Sequence, residues 1–153
     1  LLHLIRNAIA HGVESPDERL KKGKPKEGRI ALVAKREGNS VIIDVGDDGR
    51  GINLKQVYNK AVEMGIIKAG EKVSKGRLLN CLFFPGFSTT TSAGSLSGRG
   101  IGLDVVKGVI NEMNGTIDVA TTLNKGTIFR IKLPLTLIIV NVIKFKTGGL
   151  EFV

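Results

Sequence analysis

A chain of 153 residues, 42% hydrophobic and 24% charged, has enough apolar surface for a packed domain and too much for wholesale disorder. Its 23 Lys and Arg against 14 Asp and Glu give a formal net charge of +9, which suits a polyanionic ligand, whether nucleotide, nucleic acid or anionic lipid. The single cysteine, Cys81, excludes an internal disulfide framework and a multi-cysteine zinc site, and makes a reducing compartment the default; 20 glycines beside 5% aromatics favour loops that approach a ligand closely.

Residues 1–6 carry no basic leader and no initiator Met, and the first residue already falls inside a helical pattern, so the chain reads as a fragment cut from a longer protein. Leu1, Leu4, Ile5, Ala8 and Ile9 follow helical apolar spacing, with Gly12 as the stop. Ser15-Pro16-Asp17-Glu18 predicts a capping box opening a short helix that Gly23 and Pro25 close. Residues 29–36 and 41–45 are β-rich around Gly38-Asn39 and predict a hairpin. Leu54, Val57, Tyr58, Ala61 and Val62 predict a second helix ending near Gly65, and residues 75–83 a third. Residues 85–102 turn abruptly to Gly, Ser and Thr. An amphipathic helix follows, with Val105, Val106, Val109, Ile110 and Met113 on one face and Asn114-Gly115 as its stop. Residues 116–120 and 127–133 predict another hairpin. Residues 135–146 and 150–153 are strand-like, and a domain boundary is expected near Pro134. The longest apolar stretch, 133–143, is interrupted by Pro134, Thr136 and Asn141 and is too short to span a bilayer.

Three groups of residues carry chemistry. His3, Asn7 and His11 recur every four residues; each step advances about 400° around a helix, so they form a stripe beside the apolar one. Asn supplies a carbonyl oxygen to a hard cation such as Mg²⁺, and His accepts a proton or binds phosphate, although a solvated polar face has the same spacing. Asp47-Asp48-Gly49-Arg50-Gly51 follows a strand: a carboxylate there accepts a hydrogen bond from an exocyclic amine, and the glycines let backbone pass under a flat ring, while a plain turn reads the same way. Gly98-Arg99-Gly100-Ile101-Gly102 opens a helix and offers N–H groups to phosphate, without being a Walker A loop or a dinucleotide fingerprint. The basic run 19–36, net +7 from eight basic residues and Glu27, reads as a solvated face; it lacks the aromatics that nucleic-acid stacking needs. Cys81, in the apolar run 78–84, reads as a core residue.

In this order the motifs resemble the GHKL ATPase superfamily of gyrase, Hsp90, MutL and histidine kinases, and within it the catalytic domain of the CheA-type chemotaxis histidine kinases. The resemblance rests on His3-Leu4-Ile5-Arg6-Asn7-Ala8, His11-Gly12-Val13-Glu14, Asp47 to Ile52, Phe84 to Thr89 and Ser97 to Val106, with Leu133-Pro134-Leu135-Thr136-Leu137 matching the junction to a CheW-like regulatory domain. It implies an α/β Bergerat-type ATP-binding sandwich of a mixed β-sheet and helices, N-terminally truncated, over residues 1–134. Residues 135–153 would then begin a small β-barrel regulatory domain.

The resemblance also implies roles. Asn7 would complete the Mg²⁺ shell bridging the ATP phosphates, and Asp47 would take the adenine amino group between Gly49 and Gly51. Residues 85–102 would be a lid, with Ser88, Gly98, Gly100 and Gly102 toward the phosphates. Arg6, His11 and Lys60 would be charge partners of the triphosphate. His3 stands where hydrolases of the superfamily carry a water-activating glutamate, as fits a kinase that must not waste phosphate on water. Thr90-Thr91-Ser92 stand where relatives carry Lys, leaving Arg99 as a substitute. The implied function is transfer of the ATP γ-phosphate to a histidine on a separate phosphotransfer domain of the same protein. Response regulators, a CheW-like adaptor and chemoreceptors would be partners, and the protein would be a cytoplasmic homodimer with no nucleic acid bound and no membrane insertion. A GHKL ATPase driving conformational change, and a signalling scaffold with weak nucleotide binding, stand as alternatives.

Overall fold

The computed structural model describes residues 1–87 and 102–135 in full, and the backbone of residues 145–147 and 150–152. Helix α1 (Leu2–Asn7) continues into a π-helical turn, Ala8–Gly12, closed by the Val13 N–H donating to the Ala8 carbonyl at 2.8 Å. The capping box opens α2 (Pro16–Lys21): Ser15 Oγ accepts the Glu18 N–H at 3.4 Å and Glu18 Oε2 accepts the Ser15 N–H at 3.1 Å. The expected hairpin is β1 (Ile30–Glu37) with β2 (Ser40–Asp47). Then come α3 (Leu54–Glu63), capped by the Asn53 side chain, and α4 (Lys75–Asn80), which tightens into a 3₁₀ turn at Cys81–Phe83. Helix α5 (Leu103–Glu112) leads into the second hairpin, β3 (Thr116–Thr122) and β4 (Gly126–Pro134).

The sheet order is β1-β2-β4-β3 and every pairing is antiparallel, so the mixed sheet expected from sequence is corrected among the described residues. The helical crossover α3–α5 does join two strands of like direction, β2 and β3. The hairpin return β4 then enters the space between them, and each neighbour becomes antiparallel. Separately, β5 (Phe145–Thr147) and β6 (Leu150–Phe152) form a two-stranded antiparallel ladder, which is all the described residues hold of the expected β-barrel.

Alternation along the strands builds the core. Val45, Phe129 and Val119 lie in one cross-strand row and Ile43, Ile131 and Ile117 in the next; Leu4 of α1, Phe83 and Ile110 of α5 pack onto that face. A second cluster joins α3 to α4 through Val57, Ala61, Leu78, Leu79 and Cys81, with Ile67 and Leu82, and Leu103 and Val119 touch both clusters. Cys81 is buried there, and burial pushes its thiol pKa up, as suits an inert core residue.

Two helix faces depart from the apolar patterns. Leu4 and Ala8 are buried, but Leu1, ahead of α1, is exposed, and so is Ile9, in the wider π turn that shifts the phase after Asn7. On α5, Ile110 is buried and Val106 half-buried while Val105, Val109 and Met113 face solvent: the inward stripe runs through Leu103, Val106 and Ile110 only. Gly108, mid-helix on that outer side, has nothing within 4 Å of where a Cβ would stand. Gly108→Ala is therefore expected to stabilise the fold by about 1 kcal/mol, read as a higher denaturation midpoint in urea.

Candidate functional site

The site is built around the end of β2. Asp47 is its last residue, opposite Thr127 on β4. The half-buried carboxylate accepts the Gly49 N–H on Oδ1 at 2.9 Å and is also bonded by the Thr127 N–H. Burial raises its pKa above the usual carboxylate value; those N–H groups oppose the rise, and the charges of Asp48 and Glu14 add to it.

The floor under Asp47 is Gly12, the end of the π turn. A Cβ on Gly12 would stand 3.1 Å from Asp47 Cγ, and the Gly12 carbonyl accepts the Arg50 N–H at 2.8 Å. A Cβ on Gly49 would overlap that same carbonyl. Gly51 lies at φ +68°, where a side chain would also strike the Thr122 carbonyl. The two glycines thus occupy close approaches that a turn alone does not demand.

Asn7 is the last residue of α1, five residues before Gly12, and so roughly 7 Å from it along the helix axis. His3 and Asn7 are half-buried, whereas Arg6 and His11 are exposed; the π turn takes His11 out of the predicted stripe. The pKa of His3 is lowered, by burial first and then by the charge of Arg6, with Asp104 of α5 opposing; Leu4 of α1 and Leu103 of α5 share one core cluster. Gly102 is the N-cap of α5, in extended backbone, with no side chain capping the helix. Lys60 is ion-paired on α3 to Glu63 at 2.8 Å. Ser88, Gly98, Arg99 and Gly100, with Thr90-Thr91-Ser92, lie outside the described residues. The structure therefore joins Asp47 and Gly49 to the helix of Asn7 through Gly12, while Gly51 packs against Thr122.

Sequence reading missed what holds this turn. Arg19 is only 1% exposed, although the run it opens reads as a solvated face. Its guanidinium forks onto Asp48, at 3.0 Å to Oδ1 and 2.8 Å to Oδ2, and its Nε donates to the Pro25 carbonyl at 2.8 Å. Glu14, 3% exposed, receives Lys22 at 3.1 Å and Lys24 at 3.0 Å. Burial pushes the Glu14 carboxyl up, but hydrogen bonds led by Lys24 outweigh it and hold the pKa below the usual value. Lys24 Nζ also donates to the carbonyls of Asp48, at 2.9 Å, and Gly49, at 2.7 Å. Farther along, buried Thr121 accepts the Ile52 N–H at 2.9 Å and lies 3.2 Å from Thr127 Oγ1. The signal for Thr127 was the Gly126-Thr127 pair opening a strand; Arg19 and Lys24 left none, because a charge run has no periodicity that marks inward side chains.

Shallow cavities among the described residues include one of about 380 Å³ lined by Ile9, Val13, Glu14, Ser15, Gly28 and Ile30, and one of about 360 Å³ beside Ile52, Lys75 and Thr121. Neither is lined by Asp47 or Asn7.

A family model described as histidine kinase-, DNA gyrase B- and HSP90-like ATPase matches residues 1–137. The chain belongs to this ATPase family. Among curated ATPase relatives it is 48% identical over 153 residues to the chemotaxis protein CheA of Borreliella burgdorferi, covering 100% of this chain and 18% of that protein. It is 45% identical to CheA of Treponema pallidum, covering 97% of this chain and 18% of that protein, and 45% identical to CheA of Bacillus subtilis, covering 95% and 22%. Within the ATPase family its sequence therefore groups with the CheA chemotaxis proteins, of whose length it spans about a fifth. The fold is also that of a solved structure, the catalytic domain of the histidine kinase ThkA, at a TM-score of 0.50 and 20% identity over 86% of this chain and 64% of that one.

Proposed function

We propose that this chain is the ATP-binding catalytic domain of a chemotaxis-type histidine kinase, moving the γ-phosphate of Mg²⁺-ATP to a histidine on a separate phosphotransfer domain. The observation that carries the reading is the carboxylate of Asp47, oriented by the Gly49 N–H over Gly12, at the end of the helix that bears Asn7. With lone pairs left on its oxygens, that carboxylate accepts the adenine amino group, while Gly49 and Gly51 pass beside the base.

Asn7 would give its amide oxygen to Mg²⁺. Among the described residues no group of three or more His, Cys, Asp or Glu is placed to hold a metal ion, so the ion would take its other ligands from phosphate and water. The uncapped N-terminus of α5 at Gly102, with Gly98, Gly100 and Ser88 of the lid, would receive the phosphates; Arg6 and His11 would add charge from the first helix, and Lys60 on leaving Glu63. Positioning and charge neutralisation are what phosphoryl transfer asks of a protein. His3 would take the place of a water-activating carboxylate; its pKa is lowered by burial and by the charge of Arg6.

Residues 1–134 would be the kinase domain and residues 135–153 the start of a CheW-like regulatory domain. Response regulators, a CheW-like adaptor and chemoreceptors would be the partners of a cytoplasmic homodimer, and no helix among the described residues is long and apolar enough to cross a membrane. Incubating the full-length protein with γ-labelled Mg²⁺-ATP is expected to yield an acid-labile, alkali-stable phosphohistidine. Hydrolysis without that product would point to an ATPase that drives conformational change, and no calorimetric binding of Mg²⁺-ATP to a scaffold. In the same assay His3→Glu, which restores a water-activating carboxylate, is expected to raise the share of ATP lost to water relative to phosphohistidine; an unchanged ratio removes the role given to His3.

A further inference from the structure

The basic run that opens in α2 supplies the inward side chains that grip the Asp47–Gly49 turn, and two of them touch its peptide groups: Arg19 reaches the Asp48 carbonyl at 3.3 Å, and Lys24 comes closer. Lys24 Nζ bonds the carbonyls of Asp48 and Gly49, on successive peptide units, and rests on Glu14 behind them. The first of those peptide units carries the Gly49 N–H itself, the group that aims Asp47 Oδ1, and the second follows it directly. On the far side of the turn Arg19 forks onto the Asp48 carboxylate, which also accepts the Arg29 N–H at 2.9 Å. A carboxylate rotamer set by one backbone N–H is only as fixed as the peptide plane carrying that N–H.

We propose that Lys24, backed by the Arg19–Asp48 pair, is a positioning residue for base recognition: it orients the peptide planes that make the Gly49 N–H hold Asp47 in the geometry that accepts the adenine amine. The inference rests on the reading of Asp47 as the base-recognising carboxylate. Lys24 itself does not touch nucleotide. Its influence falls on the base end of the ligand, not on the phosphates, because its contacts are the carbonyls beside Asp47 and the buried Glu14. Removing its charge still leaves Glu14 with Lys22 at 3.1 Å and Arg19 at 3.5 Å, so no buried carboxylate is left without a cation.

The test compares a ligand with a base to one without. In the full-length protein, Lys24→Met is expected to raise KM for ATP about tenfold while kcat at saturation stays within about twofold, the pattern of weakened ground-state binding. Competitive inhibition by Mg²⁺-tripolyphosphate should be unchanged, and Lys24→Arg should restore most of the ATP affinity. If Lys24→Met yields no folded protein, Lys24→Gln carries the same comparison. Unchanged KM for ATP, or an equal loss for tripolyphosphate, overturns the proposal. Asp47→Asn run in parallel separates the two readings: if it leaves ATP affinity intact, the base-recognition reading fails and this inference with it. If it destroys affinity while the Lys24 variants do not, only the positioning role is lost.

Discussion

Replacing Asp47 by Asn is expected to weaken Mg²⁺-ATP binding about a hundredfold, measured by calorimetry, because a charge-assisted hydrogen bond is lost and a donor is set against donors. The Asp47 carboxylate already serves the N–H groups of Gly49 and Thr127. An Asn side chain has one carbonyl oxygen for those groups and for the adenine amine together, and its NH₂ confronts one of them. The same substitution is expected to change the stability of the nucleotide-free fold little at neutral pH, because relief of a disfavoured buried charge offsets the N–H bond the amide loses. Burial raises the Asp47 pKa in the folded state, so at neutral pH the ionised group is held where it is disfavoured, and the amide relieves that cost.

For a carboxyl whose folded pKa lies above its unfolded value, the folded state binds more protons between the two. The stabilisation from Asp47 is thus present below the unfolded pKa and is lost as pH rises through the raised folded one. Binding runs the other way: the adenine amine needs the ionised acceptor. ATP affinity should decline as pH falls through the raised Asp47 pKa, at higher pH than an ordinary carboxylate would give, and the Asn variant should lack that component. Parallel calorimetric titrations of both proteins across mildly acidic pH check this; identical slopes would refute it.

The second large effect is expected at Gly49. Adding one methyl there places a Cβ on the Gly12 carbonyl and 2.8 Å from Asp47 Oδ1. Neither neighbour can yield cheaply, since the Gly12 carbonyl is backbone already engaged by Arg50 and the Asp47 oxygen is held by Gly49 itself. Gly49→Ala should destabilise the fold by about 3 kcal/mol in urea denaturation and abolish ATP binding with it. The contrast is Gly108→Ala, the same chemical change in open space with the opposite sign. If both shift the midpoint alike, the close packing of the turn on Gly12 is not what the glycine serves.

The capping box at Ser15–Glu18, the two hairpins and the glycines after Asp47 are encoded in contacts a few residues apart, and they were legible for that reason. The family could be read because several such local motifs occur in one order, and the match over residues 1–137 agrees. The π turn was not legible: inserting one residue into a helical turn leaves the apolar pattern looking continuous, yet it exposes Ile9 and turns His11 away. Nor was the outer face of α5, since valine and methionine satisfy a helical pattern whether or not a neighbour covers them.

By itself, then, the amino-acid order determined the succession of elements, the carboxylate at a strand end with its glycines, and the ATPase kinship. Only the tertiary structure decided that the strands pair antiparallel throughout, that Thr127 faces Asp47, and that Arg19 and Lys24 turn inward to Asp48 and Gly49. The physical reason is range. A cap or a turn closes through neighbours whose spacing is written in the chain, whereas Asp48 and Gly49 stand more than twenty residues from Arg19 and Lys24 and meet them only after β1 and β2 have paired.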